Sequence, residues 1–185
     1  MKKRKVFIVV LAVLIAASVY AQTTDFSGFA QFGTPQEVRE ALDKGADVNA
    51  YKAGMTPLMD AAAYNTNAEV ITILLNAGAD LEARDHRGGI GGTALDWAAY
   101  CGKNPEVVAL LLKAGANVEV CTENGMSPLT WAAGDNSPEI VLLLLNAGAN
   151  AKVKDNNGLL AVDYAKFNMK IRGTEALKKL EAASK

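Results

Sequence analysis

Three stretches of the chain carry residue types that could do chemistry. Gly89-Ile90-Gly91-Gly92-Thr93-Ala94 fits the G-x-G-x-x-A spacing with which dinucleotide-binding loops wrap a pyrophosphate. Glycines serve that purpose only where a buried strand precedes them and a helix opens at their end. The preceding residues, Leu81-Glu82-Ala83-Arg84-Asp85, are too polar for a buried parallel strand, so the run reads as a loop and no cofactor is expected. The second candidate is a thiol with an imidazole base, since His86 is the only histidine and Cys101 and Cys121 are the only cysteines. One histidine builds neither a Ser/His/Asp triad nor a multi-histidine zinc site. The third, Asp155-Asn156-Asn157-Gly158, starts like a calcium loop, but Leu159 stands at the fifth position and the acid at the twelfth is missing. It reads as an ordinary turn, with no metal expected.

The elements that would have to position these residues follow a repeat. Gly45, Gly78, Gly115 and Gly148 each sit in a G-A-D/N phrase and step by 33, 37 and 33. Thr34-Pro35-Gln36-Glu37, Asn67-Ala68-Glu69, Asn104-Pro105-Glu106 and Ser137-Pro138-Glu139 step by the same intervals. Each has a side-chain acceptor for an N-cap and an acid in the first turn, and three have Pro at the first helical position. Thr34 and Glu37 also have the spacing of a reciprocal capping box. Between each start and its glycine runs an apolar stripe such as Val70, Ile71, Leu74 and Leu75, and the glycine then ends the helix in a left-handed conformation. A further helix opens at Thr56-Pro57-Leu58, Thr93-Ala94-Leu95 and Ser127-Pro128-Leu129, each followed by a small Ala pair that permits close packing.

In this register Cys121 takes the slot of Arg84, two positions before that of His86. Neighbouring helical units lie about 10 Å apart, so a Cys121–His86 hydrogen bond would need a distorted turn. Cys101 falls at the end of a helix that starts at Thr93, and Cys121 in the turn at the opposite end of the next unit. That helix spans about 13 Å, beyond the roughly 7 Å limit on bridged Cα atoms, so two free thiols are expected.

A unit of about 33 residues with T-P-L, an Ala pair, and a helix ending in L-L-x-x-G-A resembles the ankyrin repeat. The resemblance covers roughly residues 26–185, in units at 26–50, 51–83, 84–120, 121–153 and 154–185. It implies an all-α fold, an ankyrin-repeat solenoid of about five stacked helix-turn-helix units with hairpin-like turns. The last unit keeps Ala161-Val162-Asp163-Tyr164-Ala165 in place of the T-P-L phrase and adds a Lys-rich helix from about Thr174, as a cap over the open end of a stack would.

The resemblance also implies protein binding, in a concave groove of turn tips and first helices, and no catalytic function. Carried over slot by slot, the turn positions are Tyr51, Lys52 and Met55, then Arg84, His86 and Arg87, then Cys121, Glu123 and Met126. The exposed helix slots after each Ala pair are Tyr64, Tyr100 and Asp135, with Ala63 intervening before Tyr64. Trp97 and Trp131 share one slot, where they either fill the space between repeats or anchor a partner. Aligning Gly88 with Gly54, Gly125 and Gly158 makes the glycine run a lengthening of one turn by about three residues, beside Arg87, with Ile90 at its tip.

Ahead of the repeats, Lys2-Lys3-Arg4-Lys5, an apolar run from Val6 to about Ser18 and Val19-Tyr20-Ala21 have the layout of a secretory signal peptide cleaved near Ala21. The run is short of the roughly 20 residues that span a bilayer, so the mature form is expected off the membrane, periplasmic or secreted. Those four basic residues are among 19 in the chain, and all 20 acidic residues lie beyond them, leaving 15 against 20 after cleavage. A mildly acidic chain is a poor match for a nucleic-acid backbone. The expected function is an exported, monomeric protein-interaction module. Its alternatives are an immunity or inhibitor protein for an exported enzyme, and a thiol-based redox protein acting through Cys101 or Cys121.

Overall fold

The computed structural model describes residues 26–88 and 90–185, so the expected signal peptide, residues 1–21, lies outside the described residues. Ten helices form among them, in five antiparallel pairs: α1 (Phe26–Phe32) with α2 (Pro35–Asp43), α3 (Pro57–Tyr64) with α4 (Ala68–Asn76), α5 (Ala94–Cys101) with α6 (Pro105–Lys113), α7 (Pro128–Asp135) with α8 (Pro138–Asn146), and α9 (Ala161–Ala165) with α10 (Glu175–Ala183). The first helices pack in one row, α1 to α9, and the second helices in another, α2 to α10. This is the expected helix-turn-helix solenoid. Its turns make two isolated β-bridges, Lys52–Met55 and Lys154–Leu160, and no strand among the described residues. No described helix is long and apolar enough to cross a membrane.

Local sequence explains where each helix begins and ends. The side-chain oxygens of Thr34, Thr56, Asn67, Thr93, Asn104 and Ser127 each accept a backbone N–H of the first turn, offsetting donors that have no partner within the helix. Thr34 and Glu37 close the expected capping box: the Thr34 N–H donates to Glu37 at 2.8 Å, which holds the Glu37 carboxyl below its usual range. Ser137 departs from the pattern, because its N–H donates to the Asn136 side chain and its hydroxyl makes no capping bond. At the other end, Gly45, Gly78, Gly115 and Gly148 all have φ between 87° and 97°, where a Cβ would be strained. The next residue then donates back into the last turn, as Ala79 does to Leu74.

The two rows meet in one apolar core. Leu58, Leu95 and Leu129 are fully buried at one slot of the first helices, beside the Ala pairs 61–62, 98–99 and 132–133. Ile71, Leu74, Val108, Leu111, Val141 and Leu144 face them from the second helices. Each such leucine, fully withdrawn from water, contributes about 1.5–3 kcal/mol. Leu180 and Ala176 of α10 are buried against the end of the stack while Lys178, Lys179 and Glu181 stay exposed, the arrangement of a polar-backed cap.

Buried asparagines stitch successive units together. Asn65 donates to the carbonyls of Ala30 and Gly33, Asn136 to those of Ala98, Ala99 and Gly102, and Asn168 to those of Ala133 and Asn136. They lie at or just past helix C-termini, where carbonyls run short of partners within the helix, although Ala98 O also accepts from the Gly102 N–H. The third unit has Gly102 in this slot, pressed so close that a Cβ there would stand 3.0 Å from the Ala62 oxygen. Asn104 supplies a substitute bond to Thr66 nearby.

Candidate functional site

Backbone hydrogen bonds set the register of the lengthened turn. Four turns close with the same bond: Lys52 N–H to Met55 O, Asp85 to Gly92, Thr122 to Met126, and Asp155 to Leu159, at 2.9–3.0 Å. Gly92 therefore occupies the slot of Met55, Met126 and Leu159, and Gly91, with φ 64°, that of Gly54, Gly125 and Gly158. This corrects the alignment on Gly88. A run of glycines can absorb an insertion at either end, and the bonding places the three extra residues between His86 and Ile90. The tips are linked from unit to unit by His86 to Gly54 O, Glu123 to Ile90 O and Asn156 to Asn124 O. Arg84 ties the long turn to the next unit, donating to Gly91 O at 2.8 Å and Cys121 O at 3.0 Å.

A pocket opens beside Gly92. Met55, 1 % exposed, and Met126, 9 % exposed, are buried under their turns, whereas Gly92 puts no side chain into the equivalent space. Ile90, Gly92, Asp96, Trp97, Tyr100 and Trp131 enclose a cavity of about 80 Å³ with predominantly apolar walls. The rings of Trp97 and Tyr100 lie 6.2 Å apart at 65°, and those of Tyr100 and Trp131 4.9 Å apart at 62°. The Arg87 guanidinium, from the inserted residues, stands 4.8 Å from the Trp97 ring centre, within cation–π range.

The polar part of the pocket is Asp96. It is the N3 partner of the Thr93 cap, and its Oδ2 accepts from the Thr93 N–H at 2.8 Å and the Thr93 hydroxyl at 2.9 Å. Its Oδ1 is buried without a hydrogen-bond partner. Burial pushes the Asp96 carboxyl up to about 7, against the Thr93 hydrogen bonds and Arg84, and neighbouring Asp85 adds to the rise. Asp85 is itself buried, with Oδ1 accepting from Gly91 N–H and Oδ2 unpartnered.

The residues expected at the surface fall into separate groups. Trp97, Tyr100, Trp131, Arg87 and Ile90 come together at the pocket, with both tryptophans half-buried and Tyr100 40 % exposed. Tyr51 and His86 form a second group, their rings stacked 4.6 Å apart, with the Tyr51 hydroxyl donating to Arg84 O. Tyr64 belongs to a third: it is the last residue of α3, in register with Cys101 and Asp135 rather than Tyr100, and its ring lies 6.3 Å from Phe32. Lys52, Glu123 and Asp135 are exposed around these groups. Met55 and Met126 belong to the interior instead: both are buried under their turns, whereas Leu159 in the same slot is 41 % exposed.

The other chemical candidates do not come together among the described residues. His86 stacks on Tyr51, while the Cys121 sulfur contacts Glu119 O. Both cysteines are free, and burial pushes both thiols up, away from the thiolate a redox centre uses. Asp155 spends its oxygens on the backbone of Asn157 and Leu159 and on the Tyr164 hydroxyl, as a structural turn does. Two features escaped the sequence reading, Asp96 and the vacant slot at Gly92. Thr93-x-x-Asp96 is a legible capping signature, but nothing local marks its carboxylate as short of a donor.

Family models for ankyrin repeats match residues 28–85 and 95–180 (ankyrin repeats, three copies) and residues 59–112 (ankyrin repeats, many copies). The break between the first two segments coincides with the lengthened turn. No curated protein sequence matches the chain. Ankyrin repeats are generic protein-interaction modules without catalytic machinery of their own, which agrees with a site made of aromatic rings on the turn and first-helix side of the stack. Repeat period, paired helices and family match together show that the chain belongs to the ankyrin-repeat family.

Proposed function

We propose that this protein is an exported interaction module that binds a protein partner through its turn tips and first helices, with the pocket of the third and fourth units at the centre. The observation that carries this reading is the cluster of Trp97, Tyr100, Trp131 and Arg87, four side chains of the types that dominate interface energies, around the cavity beside Gly92. Export rests on the basic and apolar leader at residues 2–21, and places the module in the periplasm or outside the cell. The lengthened turn supplies Arg87, Ile90 and Gly92 to the site, which gives the insertion a role beyond a tolerated loop.

The test compares the native chain with a variant carrying Arg87→Ala, Trp97→Ala and Tyr100→Ala as baits in an envelope fraction. A partner retained by the native bait and identified by mass spectrometry should be lost by the variant while its helical circular dichroism persists. Undiminished retention by a folded variant would refute the placement.

A further inference from the structure

On the reading that this face binds a protein, the chemistry of the pocket narrows what the partner presents. Three aromatic rings set at steep angles wall it, and Asp96, 3 % exposed, lines it, with its buried Oδ1 lacking a partner. Asp85 Oδ2, also unpartnered, lies 3.7 Å from where a Gly92 Cβ would stand. Ionised carboxylate oxygens only accept, so these two acceptors call for a donor that carries positive charge. The nearby cations do not meet that need: Arg84 is engaged with two carbonyls, and Arg87 lies over Trp97, its buried Nε unpartnered and bonded to neither carboxylate. The indole N–H groups of Trp97 and Trp131 are buried and unpartnered too, and would suit an incoming carboxylate, but that group would sit against both aspartates. A lysine ammonium brings three donors, no acceptor and a compact charge that aromatic faces attract. A cavity of about 80 Å³ suits such a head group.

We propose that the pocket receives the ammonium group of a lysine side chain projecting from the partner, seated against Asp96 between Trp97, Tyr100 and Trp131.

Both tryptophans of the chain line this pocket, so intrinsic tryptophan fluorescence reads it directly. The purified protein is titrated with n-butylammonium, n-butanol and n-butyrate at pH 7.5. Butylammonium should shift the emission saturably and bind roughly tenfold more tightly than butanol, with butyrate weakest. Asp96→Asn should reduce that affinity roughly tenfold. Gly92→Met, which fills the slot as Met126 does, should remove the response; Gly92 does not have a positive φ and a Cβ there meets nothing closer than 3.4 Å, so this variant keeps the test valid even where Asp96→Asn folds poorly.

Binding should also strengthen about tenfold from pH 6 to pH 8 as Asp96 ionises, the ammonium staying charged throughout. The charged and titratable groups around that carboxylate are Arg84, Asp85 and Arg87 of the long turn, Tyr100 of α5, Cys121 and Glu123 of the next turn, and Asp60 of α3. Butanol or butyrate binding as tightly as butylammonium, or no saturable shift, overturns the proposal. So does partner capture that persists in Gly92→Met. If the triple alanine variant loses the partner while butylammonium fails to bind, the binding face stands and the lysine assignment falls.

Discussion

Asp96 should make the fold lose stability as pH rises through neutrality. Its ordinary value of 3.8 applies in the unfolded chain, and burial raises it to about 7 in the folded one. Below pH 4 both states hold the proton and the group favours neither. Between about 4 and 7 the folded state still binds a proton that the unfolded state has released, so each pH unit removes about 1.4 kcal/mol of stability, and the loss levels off above pH 7. From pH 5 to pH 8 the loss from this one group is about 2.5 kcal/mol. Asp60, also raised by burial, pulls in the same direction, so the measurement must be differential. Asp96→Asn keeps an oxygen for the Thr93 N–H and removes the titration. Urea unfolding of both proteins at pH 5, 6, 7 and 8 gives the difference directly. The stability of the wild type relative to the variant should fall by about 2.5 kcal/mol over that range, a relative midpoint shift on the order of 1 M urea. A difference that changes by less than about 0.5 kcal/mol would refute the claim that burial outweighs the Thr93 hydrogen bonds.

Met55→Ala should lower unfolding free energy by about 2–5 kcal/mol while leaving partner capture by the folded protein intact. A destabilisation below about 0.5 kcal/mol would return Met55 to the surface. Asn136→Ala removes a donor shared by the carbonyls of Ala98, Ala99 and Gly102, of which Ala98 keeps the Gly102 N–H, and should cost about 2–3 kcal/mol in urea unfolding, against less than about 1 kcal/mol for exposed Glu139→Ala, and equal effects would contradict the stitching role. Without prior reduction, both cysteines should take up alkylating reagent, each more slowly than free cysteine at pH 7.5. A thiol that reacts faster than free cysteine would revive the redox reading.

The legible features of the sequence were those that local chemistry determines. A side-chain acceptor at Thr34 or Asn67, an acid in the first turn and a glycine at 45 or 78 each act within one helix, so their spacing reports the helix without knowledge of its neighbours. The site depended on contacts between units. Placing the insertion required the Asp85–Gly92 bond, because Gly88 and Gly91 both adopt positive φ and are interchangeable by sequence. With the insertion misplaced, the vacancy at Gly92 could not be compared with Met55 and Met126, and the pocket stayed hidden. Those methionines read as turn-tip residues because the family's slots put them there, yet both are buried, and only their packing against the helices beneath shows it. Asn65, Asn136 and Asn168 look like loop residues for the same reason: their partners lie 32–38 residues upstream, in the preceding unit.

Site-specific photocrosslinking tests the central claim most directly. A photoreactive phenylalanine analogue is placed at Tyr100, exposed at the mouth of the pocket, and separately at Lys113, exposed at the end of α6 on the other row of helices. Irradiation in the native envelope fraction should give a discrete protein adduct from position 100 and none from position 113. An adduct from position 113 with none from position 100 would contradict a partner face built from the turns and first helices.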